Sequence, residues 1–196
     1  MNFDFPLRDF SSLKGIDGLT DEQIAVHRKL YEGYVANSNK IRRELDAMRA
    51  AGDTDSIAFA ELNRRLPFEN NGIVLHELYF ENLKPGGAAI PKGGKFERRV
   101  CERYGSVEAY LADLKAMAKM RGVGWVLTVQ DPTTGWVENR WVTLHQDGNV
   151  AGYRVLLSLD VWEHAWCVDY KPTERPKYLD AVFAALDFDV VESRTL

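Results

Sequence analysis

Apolar or otherwise special residues recur at positions 27, 31, 34, 38, 41, 45 and 48, a 4-3-4-3 spacing in a stretch from Thr20 to Gly52 whose one weak point is Gly33. That repeat keeps one stripe of a helix turned towards an antiparallel partner. Thr20-Asp21-Glu22-Gln23 reads as the helix start, with Thr20 as N-cap and Gln23 completing a capping box. A second helix is predicted from Asp55-Ser56 towards Leu83, kinked or interrupted at Pro67, which has no N–H to give to the preceding turn. Its stripe holds Ile73, His76, Phe80 and Leu83 at 3-4-3 spacing, so the first part of the chain reads as a long helical hairpin.

Lys84 to Lys95 packs four glycines and two prolines into twelve residues, a break in the pattern. Two shorter helices are predicted beyond it, at about 95–103 and 107–120, the second capped by Ser106 with Glu108 in its first turn. The period then changes. Gly124–Gln130, Trp136–Leu144 and Tyr153–Leu159 are rich in Val, Trp, Leu and Thr and read as strands, the first two joined through Asp131-Pro132-Thr133-Thr134-Gly135. A last helix, about Arg175–Leu186, closes the chain. The fold class is α+β: an N-terminal long antiparallel α-hairpin (residues 1–84), a linker (85–91), and an α/β domain (92–196) with a three-stranded antiparallel sheet.

Composition narrows the field of functions. The chain has 196 residues, 45% of them hydrophobic and 28% charged, with a net charge of −4. It lacks the basic footprint of a nucleic-acid binder, and no apolar run approaches the ~20 residues that span a bilayer. The opening Met1-Asn2-Phe3-Asp4-Phe5-Pro6 shows neither a basic nor an apolar signal region. Cys101 and Cys167 stand alone and make no disulfide framework. A cytoplasmic setting is expected.

The chemistry concentrates in few residues. There are only four histidines: His27, His76, His145 and His164. His27 and His76 fall on the stripes of the two long helices, where an antiparallel hairpin brings one near the start of the first helix to one near the end of the second. Asp160 ends a strand between Leu159 and Val161, and His164 follows one turn later within Asp160-Val161-Trp162-Glu163-His164-Ala165-Trp166. A carboxylate in that apolar setting needs a cation. Three imidazoles and one carboxylate suit Fe or Mn, and zinc accepts them too. All four histidines are expected in buried positions, none on the surface.

The run Asp160–Ala165 resembles the signature of the iron/manganese superoxide dismutases, and the likeness extends along most of the chain. Thr20–Asn39, with Tyr34-Val35 and Asn37/Asn39, is similar to their first long helix. Asn70-Asn71 followed by His76-Glu77-Leu78-Tyr79-Phe80, Gly122-Val123-Gly124-Trp125, Asp169-Tyr170-Lys171 and Arg175-Pro176-Lys177-Tyr178 are similar to further family segments. The resemblance implies His27, His76, Asp160 and His164 as ligands of one Fe or Mn ion per subunit. It implies conversion of superoxide to dioxygen and hydrogen peroxide as the ion alternates between +3 and +2, which zinc cannot do. It further implies Tyr34 as part of a proton relay, Arg175 as an anion-steering cation aided by Arg28 and Lys29, and Trp125, Trp162 and Phe80 as an apolar wall. Glu163 would bond the last ligand histidine of a neighbouring subunit, giving a homodimer or a tetramer.

The chain also departs from the family pattern. His27 and Tyr34 are seven residues apart where eight is usual. At about 100° per residue seven still leaves them within about 20° of one another, and a regular helix is expected where relatives carry a bulge. Tyr31 and Cys167 replace the histidine and tyrosine that guard the substrate entrance, and Tyr31 is expected to fill some of that space. Gly72 replaces the glutamine four before the second ligand, so the partner of the metal-bound solvent should come from the later part of the chain. His145 and Gln146 compete for that role. Trp141, Thr143 and His145 share one strand face, Leu144 and Gln146 the other; the spacing from His145 to Asp160 resembles that of shorter relatives that use histidine in this role, and His145 is preferred. Ser158, two before Asp160, is placed to influence the metal. Two rival readings are an iron oxygenase with a two-histidine, one-carboxylate site, which the third histidine disfavours, and a non-catalytic metal-binding descendant of the same fold.

Overall fold

A computed structural model describes residues 4–148 and 151–196; the Met1-Asn2-Phe3 part of the N-terminal reading falls outside them. The first helix, α1 (Asp21–Ala50), and the second, α2 (Ile57–Glu81), pack lengthwise as the predicted hairpin. Thr20 caps α1, its hydroxyl accepting from the Gln23 amide at 3.1 Å, and Ser56 caps α2 by the same device on Phe59 at 3.2 Å. The stripe on α1 is largely enclosed: His27, Tyr31, Ser38, Ile41 and Leu45 are buried. No π-helical turn interrupts α1, in keeping with the seven-residue spacing from His27 to Tyr34.

Shorter helices α3 (Lys95–Tyr104) and α4 (Val107–Ala118) lead into strands β1 (Gly124–Gln130), β2 (Val137–Thr143) and β3 (Arg154–Asp160), then α5 (Arg175–Ala185) and α6 (Phe188–Arg194). The sheet is antiparallel in the order β2-β1-β3, with Trp125 opposite both Val142 and Asp160. All seven residues of the central strand β1 are buried, as its position under helices on one face and between two strands demands. One apolar cluster runs from Ile24 and Tyr79 of the hairpin to Trp125, Leu157 and Val191. The α+β architecture is the one the periodicity predicts.

Four local expectations are corrected. α2 runs through Pro67 without interruption; with Gly72, Ile73, His76 and Phe80 buried beyond it, packing of the following turns outweighs one missing hydrogen bond. Gln23 makes no capping box: Thr20 N–H donates to Asp169 Oδ2 at 2.8 Å instead, and the Gln23 side chain is taken elsewhere. The helix at 175–185 is not the last. Leu186 and Asp187 break it by bridging to Leu83 and Ala88, and the seven-residue α6, too short to show a period, docks through Phe188 and Val191. Finally, β2 stops at Thr143. Leu144 adopts a left-handed conformation (φ 56°), so strand alternation does not carry on to His145: Thr143 is exposed and His145 fully buried.

Candidate metal centre

Four elements converge at one point. His27 lies in the second turn of α1, His76 near the end of α2, Asp160 at the end of β3, and His164 in a single 3₁₀ turn (Glu163–Ala165). The Nε2 atoms of His27, His164 and His76 stand 3.0, 3.1 and 3.7 Å from the same carboxylate oxygen, Asp160 Oδ2. All four donor atoms lie within 4.8 Å of one another. Donors held at about 2.1 Å by a first-row metal ion are spaced roughly 3.0–3.6 Å apart, so the cluster has the dimensions of a coordination sphere. His27, His76 and Asp160 are fully buried; His164, contrary to the expectation of no surface histidine, keeps 19% of its side chain exposed, because it sits on a short turn at the rim.

The hydrogen bonds test whether a cation belongs there. His76 Nδ1–H donates to the Gly72 carbonyl at 2.6 Å, which leaves Nε2 as a bare lone pair. That nitrogen is buried without a partner and faces a carboxylate. Two acceptors turned on each other in a dry cavity are costly unless a cation lies between them. Burial, then the neighbouring His27, holds His76 well below the usual imidazole range, and burial lowers His27. Burial pushes the Asp160 carboxyl up, but His164 and His27 outweigh it and hold the group far below the usual carboxylate range. Lowered His27 and His76 beside an ionised Asp160 are shifts in the direction metal binding requires. The carboxylate is itself fixed: Oδ1 accepts from the Trp162 amide at 2.8 Å, and the Asp160 carbonyl accepts from Tyr178 Oη–H at 2.7 Å.

Beside this cluster lies a polar chain. Trp125 Nε1–H donates to His145 Nδ1 at 3.0 Å, and His145 Nε2 is 2.9 Å from Tyr34 Oη. Burial pulls the His145 ring down to about 4, so it is neutral near pH 7. With Nδ1 accepting, its proton sits on Nε2 and points at Tyr34. Burial, then Asp160 and Glu69, pushes the Tyr34 hydroxyl up to about 12. Gly72 makes this possible, since a Cβ there would lie 2.8 Å from the Tyr34 ring. Gln146 is placed differently: its Oε1 accepts from the backbone N–H of His145 at 3.3 Å.

Trp125 and Phe80 close the cavity, with ring centroids 4.9 Å from His76 and 5.1 Å from His27. Trp162, half-buried, stacks on both His145 and His164. Tyr31 faces another way: it is buried against Phe10, its hydroxyl donates to Glu77 Oε1 at 2.8 Å and accepts from the Arg8 amide at 3.0 Å. It clasps the N-terminal segment through these bonds. Arg175 donates to the carbonyls of Ala118 and Gly122 at 2.8 and 3.2 Å and lines a cleft of about 430 Å³ with Arg121 and Glu163. Lys29 is paired with Glu32 at 2.6 Å, Glu163 and Cys167 are exposed, and Arg28 is half-buried. Ser158 is buried and donates to Leu75 O at 3.2 Å, beside His76.

Three residues at the centre were given no role there by sequence. Phe68 packs 4.4 Å from His145 and carries the Arg65 guanidinium on its ring at 4.1 Å; it precedes His76 by eight residues, about two turns, and that spacing was a usable signal. Gln23, four before His27, shares its helix face. Tyr178 lies in a quoted motif, but its bond to Asp160 depends on packing that no local pattern encodes.

A helical hairpin and a sheet that together present three imidazole nitrogens and one carboxylate to a single point make a protein suited to one mononuclear metal ion. The chain belongs to the iron/manganese superoxide dismutase family. Residues 91–194 match the family model for the C-terminal domain of iron/manganese superoxide dismutases. Across 192 residues, 95% of this chain, it is 34% identical to a superoxide dismutase [Fe] of Aquifex pyrophilus, covering 89% of that protein. It is 34% identical over 168 residues to superoxide dismutase [Mn] 2 of Haloferax volcanii (86% of this chain, 82% of that protein). Against superoxide dismutase [Mn] of Haloarcula marismortui the identity is 36% over 163 residues, 83% of this chain and 78% of the other.

Proposed function

We propose that the chain is a superoxide dismutase that holds one Fe or Mn ion through His27, His76, Asp160 and His164 and converts superoxide to dioxygen and hydrogen peroxide as the ion alternates between +3 and +2. The observation that carries this reading is the bare, buried Nε2 of His76 set against Asp160 Oδ2 beside two further imidazoles. A bound Fe or Mn ion supplies a one-electron couple, which zinc lacks. The protein's own groups do the rest. Tyr34 and His145 hold protons at Oη and Nε2 beside the cavity, ready for a reaction that consumes two per peroxide formed. The aromatic wall keeps the cavity small and dry, which strengthens those hydrogen bonds.

The substrate is an anion and the chain is net negative, so local cations must guide it. Arg175 remains a candidate, with Arg28 and Lys29 further out; Arg65, one ring removed from His145, joins them. Glu163 is exposed beside His164 and is free to reach a second subunit in a homodimer or a tetramer. Among the described residues no helix is long and apolar enough to cross a membrane, and the cytoplasmic placement is part of this proposal.

A superoxide-scavenging assay paired with elemental analysis tests the reading. Catalytic turnover with about one Fe or Mn per chain is expected; a stoichiometric metal without turnover would support the non-catalytic alternative, for which Tyr31 and Cys167 at the usual histidine and tyrosine positions are the motive. Within the enzyme, His145→Ala should slow turnover by about 10–100-fold while most of the metal stays bound, the usual scale for loss of an outer hydrogen-bond partner. Gln146→Ala should change the rate far less. The reverse order of effects would move the role to Gln146.

A further inference from the structure

His164 is the ligand held least by regular structure. Its 3₁₀ turn has three residues, and its internal bonds run from Ala165 to Trp162 O and from Trp166 and Cys167 to Glu163 O, so none uses the His164 carbonyl. That carbonyl accepts instead from Gln23 Nε2–H at 2.8 Å, across 141 residues of sequence. The other end of the same amide, Gln23 Oε1, accepts from the Val168 N–H at 2.9 Å. Gln23 is fully buried and lies one turn before His27 on the same helix face. One side chain therefore straddles the turn from His164 to Val168 and ties it to the helix that carries another ligand.

We propose that Gln23 is a positioning residue that sets the His164 imidazole in register with His27, so that the two nitrogens meet the metal at the distances it requires. The proposal rests on the metal-centre reading above. Bonds on either side support it: Thr20 N–H and Oγ1–H donate to Asp169 Oδ2 and Oδ1 at 2.8 and 2.5 Å, and Tyr170 Oη–H donates to the Gly18 carbonyl. These anchor the ends of the segment, but among the described residues Gln23 alone holds the carbonyl of the ligand itself. It never touches the metal, and acts through the orientation of His164.

Two variants separate this role from simple packing. Gln23→Ala removes both bonds. Gln23→Glu keeps the volume and an acceptor for Val168 but sets a carboxylate oxygen against the His164 carbonyl. Ser56→Ala is the control, because it removes the α2 cap bond to Phe59 and leaves every Gln23 bond in place. The readouts are the rate of metal release to excess chelator well below the unfolding temperature, and the electron paramagnetic resonance or visible spectrum of the bound Fe(III) or Mn(III). Both Gln23 variants are expected to release the ion about 10–100-fold faster with an altered spectrum, and Ser56→Ala to lower the thermal midpoint with release and spectrum unchanged. If Gln23→Ala does not fold, the isosteric Gln23→Glu decides. Release within about twofold of wild type in the folded Gln23 variants, or an equal change in Ser56→Ala, overturns the proposal. A wild type that retains neither ion sinks the metal-centre reading and this inference with it; a wild type that holds its ion while the Gln23 variants match it sinks this inference alone.

Discussion

Replacing His76 with alanine is expected to remove bound metal and dismutase activity together. His76 is fully buried, its tautomer is fixed by the Gly72 carbonyl, and its Nε2 has no protein partner, so its geometry is complete only with a cation present. Two imidazoles and a carboxylate remain in the variant. Folding stability should respond unevenly. In the metal-free chain, the substitution loses the packing of a buried ring, about 2–4 kcal/mol. It also relieves a buried unpaired acceptor worth about 1–3 kcal/mol, and the two nearly offset. In the metal-loaded chain, wild type gains the linkage stabilisation of a tightly bound ion, about 4 kcal/mol at a thousandfold excess over its dissociation constant. The variant forgoes that gain. Thermal midpoints of the two proteins should therefore lie close together after chelation and far apart after metal loading. Full metal occupancy in His76→Ala, measured by elemental analysis, would refute the ligand role.

The same residues show how far the sequence alone could be read. The hairpin was legible because a 4-3-4-3 stripe repeats over seven positions of α1, and because Thr20 and Ser56 announce helix starts by cap chemistry that acts locally. The strands were legible from composition, and Asp160 and His164 from a run of six residues whose family likeness is specific. What stayed hidden depends on contacts between distant segments. Gln23 followed Thr20 at capping-box spacing, yet the His164 carbonyl and the Val168 amide compete for the same side chain and win. Tyr31 stood at a gateway position, but Glu77 on α2 draws its hydroxyl away. His145 was preferred over Gln146 for its family-like spacing to Asp160, whereas the strand face assigned to it fails at Leu144, where a left-handed residue re-aims the chain. Alternation ends where the strand ends, and a positive φ at a leucine leaves no mark that single-sequence patterns can detect.

The sheet end that carries these residues is itself built on one glycine, and Gly124→Ala is expected to be the most damaging single-methyl change in the chain. Gly124 opens β1 at φ +139°, pairs with Thr143, and its carbonyl accepts from Val161 N–H at 3.0 Å. A Cβ there would sit 2.0 Å from the Val142 carbonyl oxygen and 3.1 and 3.2 Å from further backbone atoms of Val142 and Thr143. These are main-chain atoms of the neighbouring strand, so relief requires β1 and β2 to part where Trp125 reaches His145 and where Asp160 pairs across from Trp125. Strain of this kind, with loss of strand pairing, belongs among the large mutational effects of about 4 kcal/mol, a sizeable share of a total of about 5–15 kcal/mol. At roughly 2–4 °C per kcal/mol for a chain of this size, the thermal midpoint should fall by about 8–16 °C, with metal uptake impaired as the parting of β1 from β2 displaces Trp125 beside His145 and Asp160. Gly52→Ala supplies the comparison. It also has a positive φ, +74°, but nothing lies within 4 Å of its added methyl, so only the intrinsic cost of the left-handed conformation applies, about 1–2 kcal/mol. Equal midpoints for the two alanine variants, measured by calorimetry on the metal-free proteins, would show that β1 and β2 can part at this corner at little cost, and that the close approach at Gly124 is not what holds His145 and Asp160 beside the cavity.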